Sequence, residues 1–467
     1  MKKLRNIISL ICIAALLASI FVLPAQAKPA PRITGTDVSD VIIKERDNPI
    51  VIEKERLTFD LSTLPYAKYR DIETFLAYDG KVTAEYTFYN PTDEPITATL
   101  IFRLGYVPSY GVSFMSEAEL MDKYEVYVDG QSVEPKIRHA TYGSSYGKEF
   151  ELYVDSLNDE FIQDDFYAPD LTVTKYSYDV VWDYDRFVYL NVNVDSVGSE
   201  RKIFLHGTDF SGDITDSGGC SMIANGSGEN EKEIVSFYVL GKPLDLEPDA
   251  EWIKHPGADI DAQINGEFCY LGSESTTLSE LIFSEYDKES GVSEVDWYNS
   301  CITQMKLSEE LKGDVCLIND AHLFDASVKW YEYKIDLAPG ERCTSTVVSP
   351  MYPQIHKMQK PYRYAYSYYL SPKRNWDKCS NLEIVINTPY EMSKVSIEGF
   401  ENAENGYKLS RDGIPQNEEG YTLLYFSLLN DGNTPLEQPT RGLFELIATF
   451  FGGIFQKVIQ FLKSVFN

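Results

Sequence analysis

Residues 81–104, KVTAEYTFYNPTDEPITATLIFRL, decide how the chain is read. Val82, Ala84, Tyr86 and Phe88 alternate along the first arm, and Ile96, Ala98, Leu100, Phe102 and Leu104 along the second. That two-residue period is the signature of half-buried strands. Between the arms, Pro91 presets φ, Asn90 and Asp93 can bond their own backbone, and neither Pro91 nor Pro95 can donate to a ladder. The spacing predicts an antiparallel hairpin with one apolar face, which needs a second layer to cover it. The fold class that follows is mainly β: two antiparallel β-sandwich-like halves, a few short helices and a separate amphipathic C-terminal helix.

The same residues carry a resemblance. EYTFYNPTDEPITATLIFRLG, followed by EVYVDGQSVEPKI at Glu125 to Ile137, resembles the opening of a family of uncharacterised secreted proteins of low-GC Gram-positive bacteria. More distantly it is similar to VIT-type β-sandwich domains, although Phe102-Arg103-Leu104-Gly105 stands where that pattern usually has Phe-Pro-Leu-Pro. Further stretches similar to the nearer family are FYAPDLTVTKYSY from Phe166, EVDWYN from Glu294 and WYEYKIDLAPGER from Trp330. The resemblance implies export and a β-sandwich, and it assigns no functional residue.

Composition narrows the function classes. Lys2, Lys3 and Arg5, an apolar run from Ile7 to Leu23, and Ala25-Gln26-Ala27 have the order of a secretory signal peptide cleaved after Ala27. The formal net charge of −30 becomes more negative once those three cations are removed. Nucleic acid is therefore not an expected partner, since backbone neutralisation needs Lys and Arg. Strands are favoured by 33 tyrosines and 24 phenylalanines. Past the leader, Cys220, Cys269, Cys301, Cys316, Cys343 and Cys379 make no Cys-x-x-Cys pair, so neither zinc nor an obligatory disulfide is expected.

Along the chain, residues 28–40 read as a linker or a short arm, 41–241 as an N-terminal β-sandwich-like domain, and 242–429 as a β-rich domain with one longer helix. Residues 430–442 read as a second linker, before an amphipathic helix at 443–467. The boundary near 242–255 rests on accumulated prolines and charges; a single interrupted sandwich is the alternative. Ser116 with Glu119, and Thr277 with Glu280, predict capped short helices. Val295, Tyr298, Ile302 and Met305 predict the longer helix from Ser293. Tyr331, Tyr333, Ile335 and Leu337 share a strand face, followed by a turn at Ala338-Pro339-Gly340-Glu341. Residues 207–231 read as a long irregular loop, and Asn265-Gly266 as a two-residue hairpin turn.

Several motifs carry possible chemistry. Gly143-Ser144-Ser145-Tyr146-Gly147 fits Gly-x-Ser-x-Gly, but a nucleophile elbow needs a following helix and Phe150 to Val154 alternates as a strand. Asp216-Ser217-Gly218-Gly219 is similar to the serine region of chymotrypsin-like proteases, without matching surroundings at His139 or His206. His255, His322 and His356 complete a set of histidines without ligand spacing. Asp259, Asp261, Gln263 and Asn265 outline a calcium-like loop that lacks its bidentate Glu, so no metal or other cofactor is expected. Tyr362, Tyr364, Tyr366 and Tyr368 form a same-face ladder: a core strand by pattern, or a stacking surface for sugars or peptides.

In LFELIATFFGGIFQKVIQFLKSVFN, residues 443–467, polar residues recur every three or four positions as a narrow stripe. Phe444, Phe451, Phe455, Ile459, Leu462 and Phe466 lie in the wide apolar remainder. Lys457 and Lys463 interrupt it too early for a spanning helix. The expectation is contact with a membrane interface or a hydrophobic protein partner, with packing on the body as the alternative. The chain as a whole reads as an exported, non-catalytic envelope or extracellular interaction protein with an unknown extracellular ligand. A secreted hydrolase acting on an envelope or dietary polymer, with unidentified acidic residues, is the other reading.

Overall fold

The computed structural model describes residues 34–65, 78–108, 115–140, 150–164, 166–183, 188–193, 201–206, 212–214, 220–224, 232–244, 249–254, 265–311, 316–317, 328–356, 360–372, 379–415 and 421–430. A first pass of the chain lays down β1 (Asp37–Ser39), β2 (Ile42–Ile43), β3 (Val51–Asp60), β4 (Lys81–Tyr89) and β5 (Ile96–Arg103). It continues through α1 (Glu117–Met121), β6 (Glu125–Val128), β7 (Gln131–Ser132) and β8 (Lys136–Ala140). A second pass holds α2 (Phe150–Ser156), β9 (Thr172–Asp183), β10 (Val188–Asn193), β11 (Arg201–His206), β12 (Gly212–Ile214) and β13 (Cys220–Ala224). It ends with β14 (Lys232–Gly241), β15 (Asp249–Lys254), β16 (Asn265–Thr277), α3 (Leu278–Phe283), α4 (Glu294–Leu311) and β17 (Cys316–Leu317). The third comprises β18 (Val328–Leu337), β19 (Arg342–Pro350), β20 (Gln354–His356), β21 (Tyr362–Pro372) and β22 (Asn381–Asn387). β23 (Glu391–Val395), β24 (Glu401–Ala403), β25 (Gly406–Asp412) and β26 (Tyr421–Asn430) complete it.

Sheet membership separates these passes. The first and third share an eight-stranded sheet, β24-β25-β22-β3-β4-β19-β6-β7, and two smaller ones, β1-β21-β26-β23 with β20, and β2-β5-β18-β8. The second pass keeps to its own sheets, β12-β13-β10-β15 and β16-β9-β14-β11-β17. The chain leaves the body after β8 and returns on β18 directly beside it, with Val328 opposite Ala140. The body is thus an interrupted sandwich carrying an insertion. The division at 242 is not where the cores part, because β16, beyond it, pairs with β9 along nearly its whole length. The prolines and charges at 242–255 mark the approach to β15, an edge strand beside β10.

The opening stretch makes its two strands, but β4 and β5 do not pair with each other. β4 sits between β3 and β19, while β5 lies in another sheet between β2 and β18. The links 90–95 and 338–341 therefore both cross between sheets, side by side. Asn90, fully buried, stitches them: its Nδ2 reaches the carbonyls of Glu94 at 2.7 Å, Ala338 at 3.1 Å and Leu337 at 3.2 Å. Its backbone N–H donates to Glu341 O at 3.0 Å, and Gly340 N–H donates to Asn90 O at 3.1 Å. Gly340 takes the left-handed φ of 71° that the Pro-Gly turn requires.

The core explains the patterning. Leu57, Phe59, Tyr86 and Phe88 from the large sheet meet Phe102, Tyr333, Tyr366, Tyr368 and Phe426 from the two smaller sheets. β5 is buried on both sides, since Ile101 faces a second cluster with Ala140, Val154, Leu157 and Trp330. Both capping boxes form, Ser116 with Glu119 and Thr277 with Glu280. In the insertion α4 presents Tyr298, Ile302 and Met305 to a core that also takes Trp297.

Several expectations are corrected. Asp37–Ser39, expected within a linker or a short arm, is a strand paired in parallel with β21, and Val38 is buried in the core. Residues 150–154 are helical, and the loop at 207–231 contains β12 and β13. Asn265-Gly266 continues β16 opposite Asp183 and Trp182 rather than turning. Local alternation or an Asn-Gly pair does not reveal the partner strand that decides these cases.

Insertion and body are joined through Arg138, 1% exposed on β8. Its guanidinium donates to Asp296 Oδ1 on α4 at 2.8 and 2.9 Å and to Glu332 Oε2 on β18 at 2.9 Å. Asp296 Oδ2 also accepts the backbone N–H of His139 at 3.0 Å. Burial disfavours the guanidinium charge, and Asp296, Glu332 and Asp159 more than offset it, so its pKa is raised.

Replacing Asn90 by Ala removes the donor to three carbonyls at the crossing. Asn90→Ala is expected to cost about 3 kcal/mol of stability in urea unfolding, the scale of leaving buried acceptors unpaired. A loss below about 0.5 kcal/mol, the scale of an ordinary surface change, would show that the crossing does not depend on it.

Candidate functional site

A cleft of about 570 Å³ opens among the described residues at the end of the eight-stranded sheet opposite Asn90. Here β3 and β22 end, β4 begins, β19 ends and β6 begins. The cleft takes Asp60 from β3, Asp79 and Lys81 around the start of β4, Asp122 and Lys123 after α1, and Glu125 from β6. Four acidic and two basic side chains thus face one polar space.

Its floor is held in place. Asn387 Nδ2 donates to Asp60 Oδ1 at 2.8 Å, and Leu61 N–H donates to Asn387 O at 2.9 Å. The Tyr78 hydroxyl shares a hydrogen bond with Tyr366 at 3.0 Å, and its carbonyl accepts from Lys123 Nζ at 3.3 Å. Burial first, then the charge of Asp79, pushes the phenols of Tyr78 and Tyr352 up, with Tyr366 partly relieving Tyr78. Both rings stay neutral donors at physiological pH. Gly80 leaves room for Tyr78: a Cβ there would lie 2.0 Å from the Tyr78 hydroxyl. The arrangement suits a ligand bearing positive charge and hydrogen-bonding groups, whose ammonium can meet carboxylates while Lys81 and Lys123 orient its acceptors.

The residues singled out in the sequence lie elsewhere. Tyr364, Tyr366 and Tyr368 are buried at 1% exposure or less, and Tyr362 packs at the margin of the same core. The ladder is a core strand and presents no stacking surface, because β21 lies inside the sandwich between β1 and β26. Phe444, Phe451, Phe455, Ile459, Leu462 and Phe466 lie outside the described residues, as do Ser145 and Ser217. The helix at 150–156 supplies the element whose expected absence argued against the Ser145 motif, so that argument no longer holds. Asp259, Asp261 and Gln263 also lie outside, and no group of three or more His, Cys, Asp or Glu side chains positioned to hold a metal occurs among the described residues. Burial pushes His139 and His356 below the ordinary imidazole range.

Sequence reasoning missed the cleft because its members are scattered from residue 60 to residue 387. One local signal was available: Asp79-Gly80 is a strong turn pair just before β4, and both residues line the cleft.

No protein-family model and no curated protein matches the chain. Among solved structures, one described as a "putative nutrient binding protein" from Legionella pneumophila is similar over 85% of this chain and 72% of its own. The identity is 9% and the TM-score 0.29, too low to carry an argument about fold or function.

Four thiols are placed: Cys269 is exposed, and Cys301, Cys343 and Cys379 are buried. Burial pushes all three buried thiols up, Cys343 to about 12. Brief iodoacetamide treatment of the native protein is therefore expected to alkylate Cys269 well ahead of these three, as read by peptide mass spectrometry. Equal labelling of Cys301 under native conditions would contradict the packing around α4.

Proposed function

We propose that this chain is an exported binding protein of the cell envelope or its surroundings, taking a cation-bearing extracellular ligand in the cleft between Asp60, Asp79, Asp122 and Glu125. The observation that carries this reading is the cleft itself, with its excess of acidic side chains and its floor fixed by Asn387 and Tyr78. Export is supported by the signal-like leader and by the resemblance of residues 85–105 to secreted proteins. The acidic balance of the chain favours cationic ligands over nucleic acid.

Titration with trilysine as the probe tests the cleft. The double substitution Asp79→Asn with Asp122→Asn is expected to weaken binding roughly tenfold at low salt, and less at high salt where charge is screened. Unchanged affinity in a folded variant would rule the cleft out as the binding site. Turnover of an envelope polysaccharide by the native protein, lost on substituting Asp60 or Glu125, would favour the hydrolase reading instead.

In this reading residues 443–467 tether the body to a membrane interface or a hydrophobic partner. Truncation after Gln438 is expected to give a soluble protein with unchanged melting temperature that no longer sediments with liposomes. A body that melts several degrees lower, from a full-length protein that ignores liposomes, would assign the segment to the core.

A further inference from the structure

From Arg342 to Trp376 the sequence contains no Asp or Glu, although the chain carries 72 of them against 42 Lys and Arg. This stretch includes β20 and β21, and the start of β21 forms a basic corner of the body. Strand alternation sends Tyr364, Tyr366 and Tyr368 into the core, so Arg363 lies on the outer face of its sheet. In register beside it are His356 on β20 and Leu429 on β26. On β23, at the far side of β26, Lys394 pairs with Ser427, two residues before Leu429. Lys394 is exposed on that same outer face, because Met392 and Val395 take the inward positions around the β23 bulge. Lys360, also exposed, precedes β21 at this end.

These cations lack counter-ions in the fold. Elsewhere on the body exposed cations meet carboxylates, as Arg342 does Glu53 at 2.7 Å, and Arg56 and Lys408 do Glu383 at 3.4 and 3.5 Å. Among the described residues no ion pair holds Lys360, Arg363 or Lys394, and Arg363 Nε meets no acceptor. Glu391, in register with Leu429, faces the same way, and the three cations outnumber it. His356 adds no charge at physiological pH, since burial first, then Arg363 and Lys394, holds its imidazole below the ordinary range. Like charges gathered in this way repel one another, and a surface of opposite charge relieves the repulsion.

The position of the corner indicates which surface. β26 ends there, with Asn430 opposite Tyr362. The sequence then runs through residues 431–442, which can span at most about 40 Å, to the apolar segment 443–467. A body this acidic is repelled by an anionic membrane except where its own surface is locally basic.

We propose that the corner formed by Lys360, Arg363 and Lys394 docks the body on the phosphates of anionic phospholipid headgroups, at the place from which residues 443–467 reach the same membrane. The inference rests on the reading of that segment as a membrane tether. The corner adds what an amphipathic tether alone does not supply, a preference for anionic lipid and a fixed orientation of the body. A headgroup phosphate can accept from the terminal guanidinium nitrogens of Arg363, while Lys360 and Lys394 act as point charges beside it.

The test is sedimentation of the native protein with vesicles of phosphatidylcholine alone and of an equal mixture with phosphatidylglycerol, beside the triple variant Lys360→Gln, Arg363→Gln, Lys394→Gln. Each cation near an anionic surface is worth roughly fivefold in partitioning, so the variant is expected to bind the mixed vesicles at least about tenfold more weakly at low salt. On neutral vesicles it is expected to match the native protein, and high salt is expected to shrink the difference on the mixed ones. A loss below about threefold on the mixed vesicles overturns the corner. Native protein that ignores neutral vesicles, yet loses its binding to mixed ones in the variant, refutes the tether and upholds the corner. Native protein that binds soluble polyphosphate and shows no preference for mixed over neutral vesicles overturns the membrane assignment. If the triple variant does not fold, Lys360→Gln with Lys394→Gln, both at exposed positions, takes its place: a loss of about fivefold or more upholds the corner, and one below about twofold overturns it.

Discussion

The crossing at Asn90 is the constraint on which the architecture rests. Two links, 90–95 and 338–341, pass between the same two sheets side by side, so β4 and β19 are neighbours in one layer while β5 and β18 are neighbours in the other. Each link leaves carbonyl groups facing inward at the crossing. The Asn90 amide reaches the carbonyls of Leu337 at the end of β18, Ala338 in the link that follows and Glu94 in its own link, so neither link can be rearranged without exposing the other. The interlock also obliges chain segments more than 240 residues apart in sequence to fold into one body.

From that follow the positions of the insertion and the cleft. With β8 and β18 adjacent in the second layer, any chain between them must leave and return at one place, and the second pass builds its own sheets there. Arg138 anchors it across the junction, bonded to Glu332 in the body and Asp296 in the insertion. A buried pair of this kind adds little net stability over apolar packing, but an uncompensated partner would be costly, so it specifies one docking arrangement. The acidic cleft lies at the opposite end of the large sheet, away from the crossing, among residues at the strand ends.

The polar groups inside the sandwich divide into two kinds. Arg138 is surrounded by carboxylates and keeps its charge, whereas burial first, then the Asp40 carboxyl, holds Glu55 above its ordinary value.

Strands, caps and the long helix were legible in the sequence because each depends on neighbours a few residues away. Alternation marked β4, β5, β18 and β21, Ser116 and Thr277 marked their helices, and Val295 to Met305 marked α4. The core role of Tyr364, Tyr366 and Tyr368 was equally readable from their shared face. Strand partners, the interruption of the sandwich and the cleft were not. A six-residue link looks the same whether it turns back in one sheet or crosses to another, and Asp60, Asp122 and Asn387 meet only after distant strands align. Local periodicity fixes which way a side chain points; what it points at is decided by long-range pairing, which only the folded chain contains.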